Sequence, residues 1–63
     1  MLGNQIAVYE ANAEWYLLHG DFGSAIGQLS NALSHVKNDQ KTKNRIEARI
    51  TEVQELIQRV KKV

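Results

Sequence analysis

The chain has 63 residues, no cysteine and no proline, and its eight basic and seven acidic residues give a formal net charge of +1. This length allows one small domain, and the lack of cysteine excludes disulfides and thiolate-bound metals. The near-balanced charge gives no reason to expect a nucleic-acid partner, and the lack of proline with many Ala, Leu, Gln and Glu residues favours an all-α protein.

The first predicted helix runs from about residue 4 to 19, with Asn4 as its N-cap. Its apolar side chains follow the 3,4,3 spacing of a buried stripe, which comprises Ile6, Tyr9, Ala13 and Tyr16. Trp15 lies off this stripe, so we expect it to pack against whatever precedes this segment in a larger protein. In the isolated chain we expect it to be exposed and to take part in self-association.

A tight turn is predicted at Gly20 and Asp21. Glycine adopts the left-handed conformation that ends a helix without steric cost, and aspartate is suited to cap the next helix. The second helix runs from about 22 to 36, and its core face comprises Phe22, Ala25, Ile26, Leu29, Ala32, Leu33 and Val36. Ala25 and Ala32 are small and seven residues apart, so they should let two helix backbones approach closely.

Two glycines lie inside the second helix, at positions 23 and 27. Each costs up to about 1 kcal/mol relative to alanine. Either both are tolerated on an exposed face, which is the simpler interpretation, or Gly27 permits close approach of a neighbouring helix.

The third predicted helix runs from about 40 to 61, after a break in which Asn38 ends one helix and Asp39 caps the next. Its apolar residues have the 4,3,4,3 spacing of a heptad seam, namely Ile46, Ile50, Val53, Ile57 and Val60. This helix is longer than the other two, so its C-terminal half must overhang them or pack on something else. The expected self-association surface comprises Trp15 with Ile50, Val53, Ile57 and Val60.

The first half of the chain resembles a tetratricopeptide repeat, a helix–turn–helix unit of about 34 residues. The matching residues are Tyr9, Ala13 and Tyr16 in the first helix, the Gly20-Asp21-Phe22 turn, and Ala25, Leu29 and Ala32 in the second helix. Asn12 and Lys37 depart from the repeat's usual leucine and proline. The first departure weakens local packing, and the second fits a repeat that is not followed by another ordinary repeat.

This resemblance implies an all-α fold in one domain, residues 1–63, with a tetratricopeptide repeat over 5–37 and a long C-terminal capping helix over 40–62. It also implies a protein–protein interaction or scaffold function. The flank of the first helix that lines the concave, ligand-facing surface in such repeats would carry the partner-binding residues Ala7, Glu10, Glu14, Leu17 and Leu18.

A narrower resemblance covers residues 11–39 and 43–58, including Ala48-Arg49-Ile50 and Glu52. These segments are similar to the C-terminal tails of bacterial periplasmic zinc metalloproteases of the β-barrel-assembly-enhancing protease family. The resemblance implies the tail of a larger periplasmic protein. Its partners would be a peptide, an unfolded outer-membrane protein or the outer-membrane assembly machinery, and we expect the isolated chain to form homo-oligomers.

No catalytic, cofactor-binding or metal-binding residue is predicted. A zinc protease needs a His-Glu-x-x-His helix, whereas His19 and His35 stand sixteen residues apart on different helices. We interpret each histidine as a residue at the end of a helix. No Ser-His-Asp order, phosphate-binding loop or calcium loop is present in the sequence, and no apolar run approaches the roughly 20 residues of a membrane span.

Two alternative functions remain open. The first is a small helix–turn–helix nucleic-acid-binding domain, suggested by the basic residues Lys41, Lys43, Arg45, Arg49, Arg59, Lys61 and Lys62. Glutamates interrupt this basic run, so a solvated helix face is the simpler interpretation and we expect no nucleic-acid partner. The second is a purely structural cap that ends a solenoid.

The aromatic residues Trp15, Tyr16 and Phe22 could form a peptide-binding platform or belong to the core, and Tyr16 and Phe22 fit the core better. Glu10 and Glu14 argue against a clamp for a peptide carboxylate, because like charges would repel the ligand.

Overall fold

The computed structural model describes residues 5–61, which form three α-helices joined by short turns. They are α1 (Gln5–Leu18), α2 (Phe22–Ser34) and α3 (Gln40–Lys61). The described part of the chain contains no strand, and the all-α prediction is confirmed. The predicted N-cap at Asn4 lies outside the described residues.

The second helix ends two residues earlier than its sequence pattern predicts. The amide of His35 donates to the carbonyl of Ala32 at 3.0 Å, and the amide of Val36 donates to that of Leu33 at 3.1 Å. These bonds reach back three residues instead of four, which tightens the last turn and ends the α-helix. Val36 nevertheless stays half-buried against the core, as its place in the apolar stripe predicts.

The turn between α1 and α2 is fixed by backbone hydrogen bonds and one side chain. Gly20 has a φ of 77°, its amide donates to the Leu17 carbonyl at 3.1 Å, and the Asp21 amide donates to the Tyr16 carbonyl at 2.9 Å. This pair of bonds is the Schellman motif, which satisfies carbonyls that a helix end leaves free. The Asp21 carboxylate accepts the Ser24 amide at 3.2 Å and caps α2, so both sequence predictions for this turn are confirmed.

The junction between α2 and α3 relies on a cap without a left-handed residue. Asp39 accepts the Thr42 amide at 3.2 Å and the Thr42 hydroxyl at 2.6 Å, and its own carbonyl accepts the Lys43 amide at 3.1 Å. The Thr42 hydroxyl in particular holds the pKa of the Asp39 carboxyl below its usual value. The predicted N-cap at Asp39 is therefore confirmed.

The core lies along α2, which packs against both other helices. Its buried side chains are all apolar and comprise Ala13, Ala25, Leu29, Ala32, Ile46 and Val53. On the side of α2 that faces α1, Gln28 accepts a hydrogen bond from Asn12 at 3.4 Å. Ala25 and Ala32 lie one turn before and one turn after Gln28, so these two small residues face α1, as predicted.

A second side of α2, about 100° around the helix from Ala25 and Ala32, carries larger side chains toward α3. Ile26 and Leu33, seven residues apart, each line a surface depression with residues of α3. The heptad seam of α3 packs against this side, with Ile46 and Val53 buried and the intervening seam residue half-buried. Val60 is 60% exposed, which shows that the last turn of this 22-residue helix extends past the core.

The interior glycines of α2 face open space. A methyl group built on Gly23 or Gly27 would meet no other atom within 4 Å. Within this chain, tolerance on an exposed face is therefore the interpretation that the structure favours over close helix approach at Gly27.

Candidate interaction groove between α1 and α3

Two ion pairs connect α1 to α3. Arg45 donates to both carboxylate oxygens of Glu10, at 3.0 and 3.2 Å, and Arg49 pairs with Glu14. Arg49 also binds Glu52 of its own helix at 3.1 Å. Because the chain reverses direction at each junction, α1 and α3 run parallel. Both helices pack on α2, and the two ion pairs span the space between them.

The register of these ion pairs follows from matched spacing. The two glutamates are four residues apart on α1, the two arginines are four residues apart on α3, and each pair joins residues that differ by 35 positions. Residues four apart lie on the same helix face, so parallel helices bring both pairs together at once. Arg45 and Arg49 were predicted to lie on a solvated face, without partners on α1. The matching E-x3-E and R-x3-R spacings are the sequence signal for these pairs.

A groove runs between α1 and α3 where these ion pairs meet. Its volume is about 460 Å³. Leu29 of α2 forms the apolar floor, and the small residues Ala11 and Ala48 leave room on the two sides. The lining residues are Glu10, Ala11, Glu14, Leu29, Arg45, Ala48, Arg49 and Glu52.

The groove continues toward the C-terminal end of α1. A second depression of about 310 Å³ shares Arg49 and Glu52 with the first. It adds the apolar side chains of Leu17 and Leu56 and the guanidinium of Arg59. We call the two depressions together the α1–α3 groove, which combines apolar side chains with charges of both signs.

The predicted partner-binding residues fall in different places. Glu10 and Glu14 line the first depression, and Leu17 lines the second. The other two residues, Ala7 and Leu18, are exposed but line neither depression. Leu18, at the end of α1, is 84% exposed. Three of the five residues therefore lie in one groove, while residues of α3 supply its other wall.

The charges of the groove are closer to balance than Glu10 and Glu14 alone suggest. Each of these carboxylates faces a guanidinium, so the repulsion expected for a peptide carboxylate is reduced. Such solvent-exposed ion pairs contribute only about 0.2–1 kcal/mol each. A ligand that brings its own charges can exchange with them at small cost.

The predicted self-association residues are also divided. Ile50, Val53 and Ile57 pack against the core of their own chain, and Val53 is only 1% exposed. Trp15 and Val60 are more than half exposed. Self-association stays a prediction, and in this conformation Trp15 and Val60 are the members of the set that a partner could reach.

The three aromatic side chains do not form one exposed platform. Tyr16 and Phe22 are half-buried against the core, as predicted. Trp15 stands outside it, with its ring edge-to-face on Tyr16 at a centroid distance of 5.3 Å.

Both histidines follow the end of a helix. The His19 ring stacks on Trp15 at 3.9 Å, and its Nδ1 lies 2.8 Å from the Trp15 carbonyl. The Nδ1 of His35 lies 2.9 Å from the Asn31 carbonyl. Residues 5–61 contain no group of three His, Cys, Asp or Glu side chains that could hold a metal ion.

Within the same described range, none of the three helices has the length and hydropathy needed to cross a membrane. Searches with the chain found no matching family model, no matching curated protein and no matching solved structure.

Proposed function

We propose that this chain is a protein–protein interaction module that binds a peptide segment in the α1–α3 groove. The observation that carries the proposal is the groove itself, in which Ala11 and Ala48 leave space between the charged side chains of α1 and α3. A binding site for a peptide needs apolar contacts for affinity and a few fixed polar groups for orientation. The packing of α1 and α3 on α2 sets the spacing of the two walls before any ligand arrives, which reduces the entropic cost of binding.

The lining residues indicate the chemistry of the ligand. Ala11 and Ala48 leave space for small or medium apolar side chains above Leu29. Arg45 and Glu10 can each exchange a partner for a charged group of the ligand, since both side chains remain partly exposed. The best ligand is therefore a segment with alternating apolar and charged residues, as in an unfolded outer-membrane protein or a docking peptide of an assembly machine.

We also propose the broader setting that the sequence resemblance implies. In it, the module is one tetratricopeptide repeat with a capping helix, and it forms the non-catalytic C-terminal tail of a periplasmic zinc metalloprotease that acts in outer-membrane protein quality control. The residues of the Gly20–Phe22 turn support the repeat. The 35-residue offset between α1 and α3 also supports it, because it is close to the repeat period of about 34 residues.

Filling the groove tests the binding proposal. Peptides of about 15 residues would be selected from a random library against the chain and titrated against Ala48→Leu, which fills the groove with a good helix former. The matched control is Gln54→Leu, an exposed position of α3 that lines neither depression. We expect Ala48→Leu to weaken peptide binding at least tenfold and the control to change it less than twofold. Equal binding to both variants, or no selected peptide at 100 µM, would exclude the groove as the site.

The second candidate function is that of a structural cap. The third helix buries Ile46 and Val53 against α2, and two of its arginines form ion pairs with α1. A charge swap separates this function from peptide binding. Glu10→Arg combined with Arg45→Glu keeps an ion pair but reverses its direction. Unchanged stability with altered peptide selection supports binding, whereas unchanged stability with unchanged selection supports a cap.

The nucleic-acid alternative has less support, because Arg45 and Arg49 are already paired with glutamates. Its test is the binding of random duplex DNA at several salt concentrations. Binding that weakens as salt increases would favour this alternative, since phosphate contacts release counterions.

A further inference from the structure

The face of α1 that points away from the core carries an exposed apolar stripe. Three of the five large hydrophobic side chains that are exposed in the described structure lie there: Val8 at 55%, Trp15 at 56% and Leu18 at 84%. Ala11 is exposed between them. We call these four residues the α1 outer stripe. Only Ala11 is shared with the α1–α3 groove, so the stripe is a separate surface.

The spacing of the stripe is 3,4,3, which reads the same in both directions along the helix. A second α1 in antiparallel orientation therefore presents the same four residues in register. Val8 then lies opposite Leu18 of the second copy, and Ala11 lies opposite Trp15 of the second copy. The largest side chain meets the smallest in this register, which suits close packing of two helices.

From this self-complementarity we propose that the α1 outer stripe binds a second copy of this chain, as a two-fold symmetric dimer of antiparallel α1 helices. Such a contact is isologous, because each surface patch packs against itself. It goes beyond peptide binding, since it neither uses nor requires the floor of the α1–α3 groove.

The charges of α1 agree with the antiparallel register. Glu10 and Glu14 are the charged residues of α1, and α3 of the same chain pairs both. In the antiparallel register Glu14 lies opposite the uncharged Asn12 of the second copy. A parallel pair would instead bring Glu14 near its own equivalent and place Ala11 against Ala11, which leaves a gap beside two tryptophans.

The size of the stripe determines the strength of this dimer. Its three large side chains expose roughly 400 Å² per copy, if the full surface area of a tryptophan residue is taken as about 250 Å². Two copies would bury about 800 Å² from these side chains, less than the roughly 1,200–2,000 Å² of stable specific interfaces. We therefore expect a reversible dimer that forms at micromolar or higher concentrations and dissociates on dilution.

Sedimentation equilibrium of the full chain from about 10 µM to 1 mM tests the proposal. The expected result is a monomer–dimer equilibrium that Val8→Glu and Leu18→Glu each weaken at least tenfold. Gln54→Glu is the matched control, because Gln54 is an exposed residue of α3 that lies outside both the stripe and the predicted self-association surface. Circular dichroism of each variant reports whether the helices remain. A chain that stays monomeric throughout, or a dimer unaffected by both stripe variants, would overturn the proposal.

Cross-linking tests the register without disturbing the rest of the stripe. The chain has no cysteine, so each introduced thiol is unique. Val8→Cys and Leu18→Cys would be mixed in an oxidised and reduced glutathione buffer, with Gln54→Cys as the control for random collision. The antiparallel register predicts that the mixed disulfide exceeds either homodimeric disulfide. Predominant Val8→Cys homodimers would indicate parallel helices and overturn the proposed register.

Discussion

The two sides of α2 pack against their neighbours in different ways. Ala25 and Ala32 face α1, where small side chains let the backbones approach, whereas Ile26 and Leu33 face α3 with full-sized side chains. Contacts between α1 and α2 are accordingly more extensive than those between α2 and α3, although α3 is the longest helix. The interface with α1 therefore requires small side chains on α2. The interface with α3 requires mainly that the side chains be apolar.

The junctions reinforce this difference. The left-handed conformation of Gly20 and the cap at Asp21 fix the backbone geometry of the turn before α2. The longer junction before α3 depends on the cap at Asp39. A close helix pair needs a fixed hinge angle, whereas a helix that packs through larger side chains can adjust its position.

The largest expected effect comes from enlarging the small side of α2. Ala25→Leu combined with Ala32→Leu would force α1 and α2 apart, because both alanines are fully buried. Overpacking costs about 1–3 kcal/mol per site, and a core of this size supplies only about 3–5 kcal/mol in total. We expect the double variant to be largely unfolded at 25 °C, as measured by circular dichroism and urea titration.

The control for this variant lies on the other side of α2. Ile26→Leu combined with Leu33→Met conserves volume, and such swaps usually cost less than about 1.5 kcal/mol each. We expect this protein to stay folded with a lower midpoint. If the enlarged variant kept the melting temperature of the parent chain, the size selection inferred for the α1 side would be wrong.

The next largest effect is the difference in stability between alanine variants of two glycines that have similar free space around them. No atom lies within 4 Å of a methyl group built on Gly20 or Gly27, but Gly20 alone has a positive φ. Gly20→Ala should therefore lose about 1–2 kcal/mol through backbone strain. Gly27→Ala should gain up to about 1 kcal/mol, because alanine is the better helix former. Equal shifts in the denaturation midpoints of the two variants would contradict this.

The smallest effect concerns pH and the cap of α3. The Thr42 hydroxyl holds the pKa of Asp39 below its usual value of 3.8, so the cap stabilises the folded chain above about pH 4. This contribution is lost as the pH falls through the lowered native pKa. We expect the protection of the Thr42 and Lys43 amides, measured as the ratio of the intrinsic to the observed exchange rate at each pH, to fall below pH 4. In Asp39→Asn, which can still accept hydrogen bonds, the pH dependence should disappear while much of the cap remains.

Much of the fold could be predicted because local signals agreed with one another. Gly20, Asp21 and Asp39 each occupy a position whose backbone geometry favours that residue type, and the apolar spacing of α3 indicated the face that now packs on α2. The end of α2 was less predictable, because Val36 belongs to the apolar stripe although the helix has already tightened and ended.

The candidate groove was only half predictable. Its α1 wall follows from Glu10 and Glu14, but its α3 wall depends on the rotation of a helix 35 residues away. The heptad seam predicts which face of α3 packs on α2, but it does not predict which face of α3 points toward α1. The matched spacings of Glu10 and Glu14 and of Arg45 and Arg49 are compatible with pairing, but only the folded chain shows that these two faces meet.

The matched charges have a consequence for which helices can be neighbours. If another helix with the acidic pattern of α1 took the place of α3, four carboxylates would face one another in two repelling pairs. A helix that carries arginine at both matching positions converts that conflict into attraction. Arg45 and Arg49 therefore favour α3 over a duplicate of α1 at this position, by the modest free energy of exposed ion pairs.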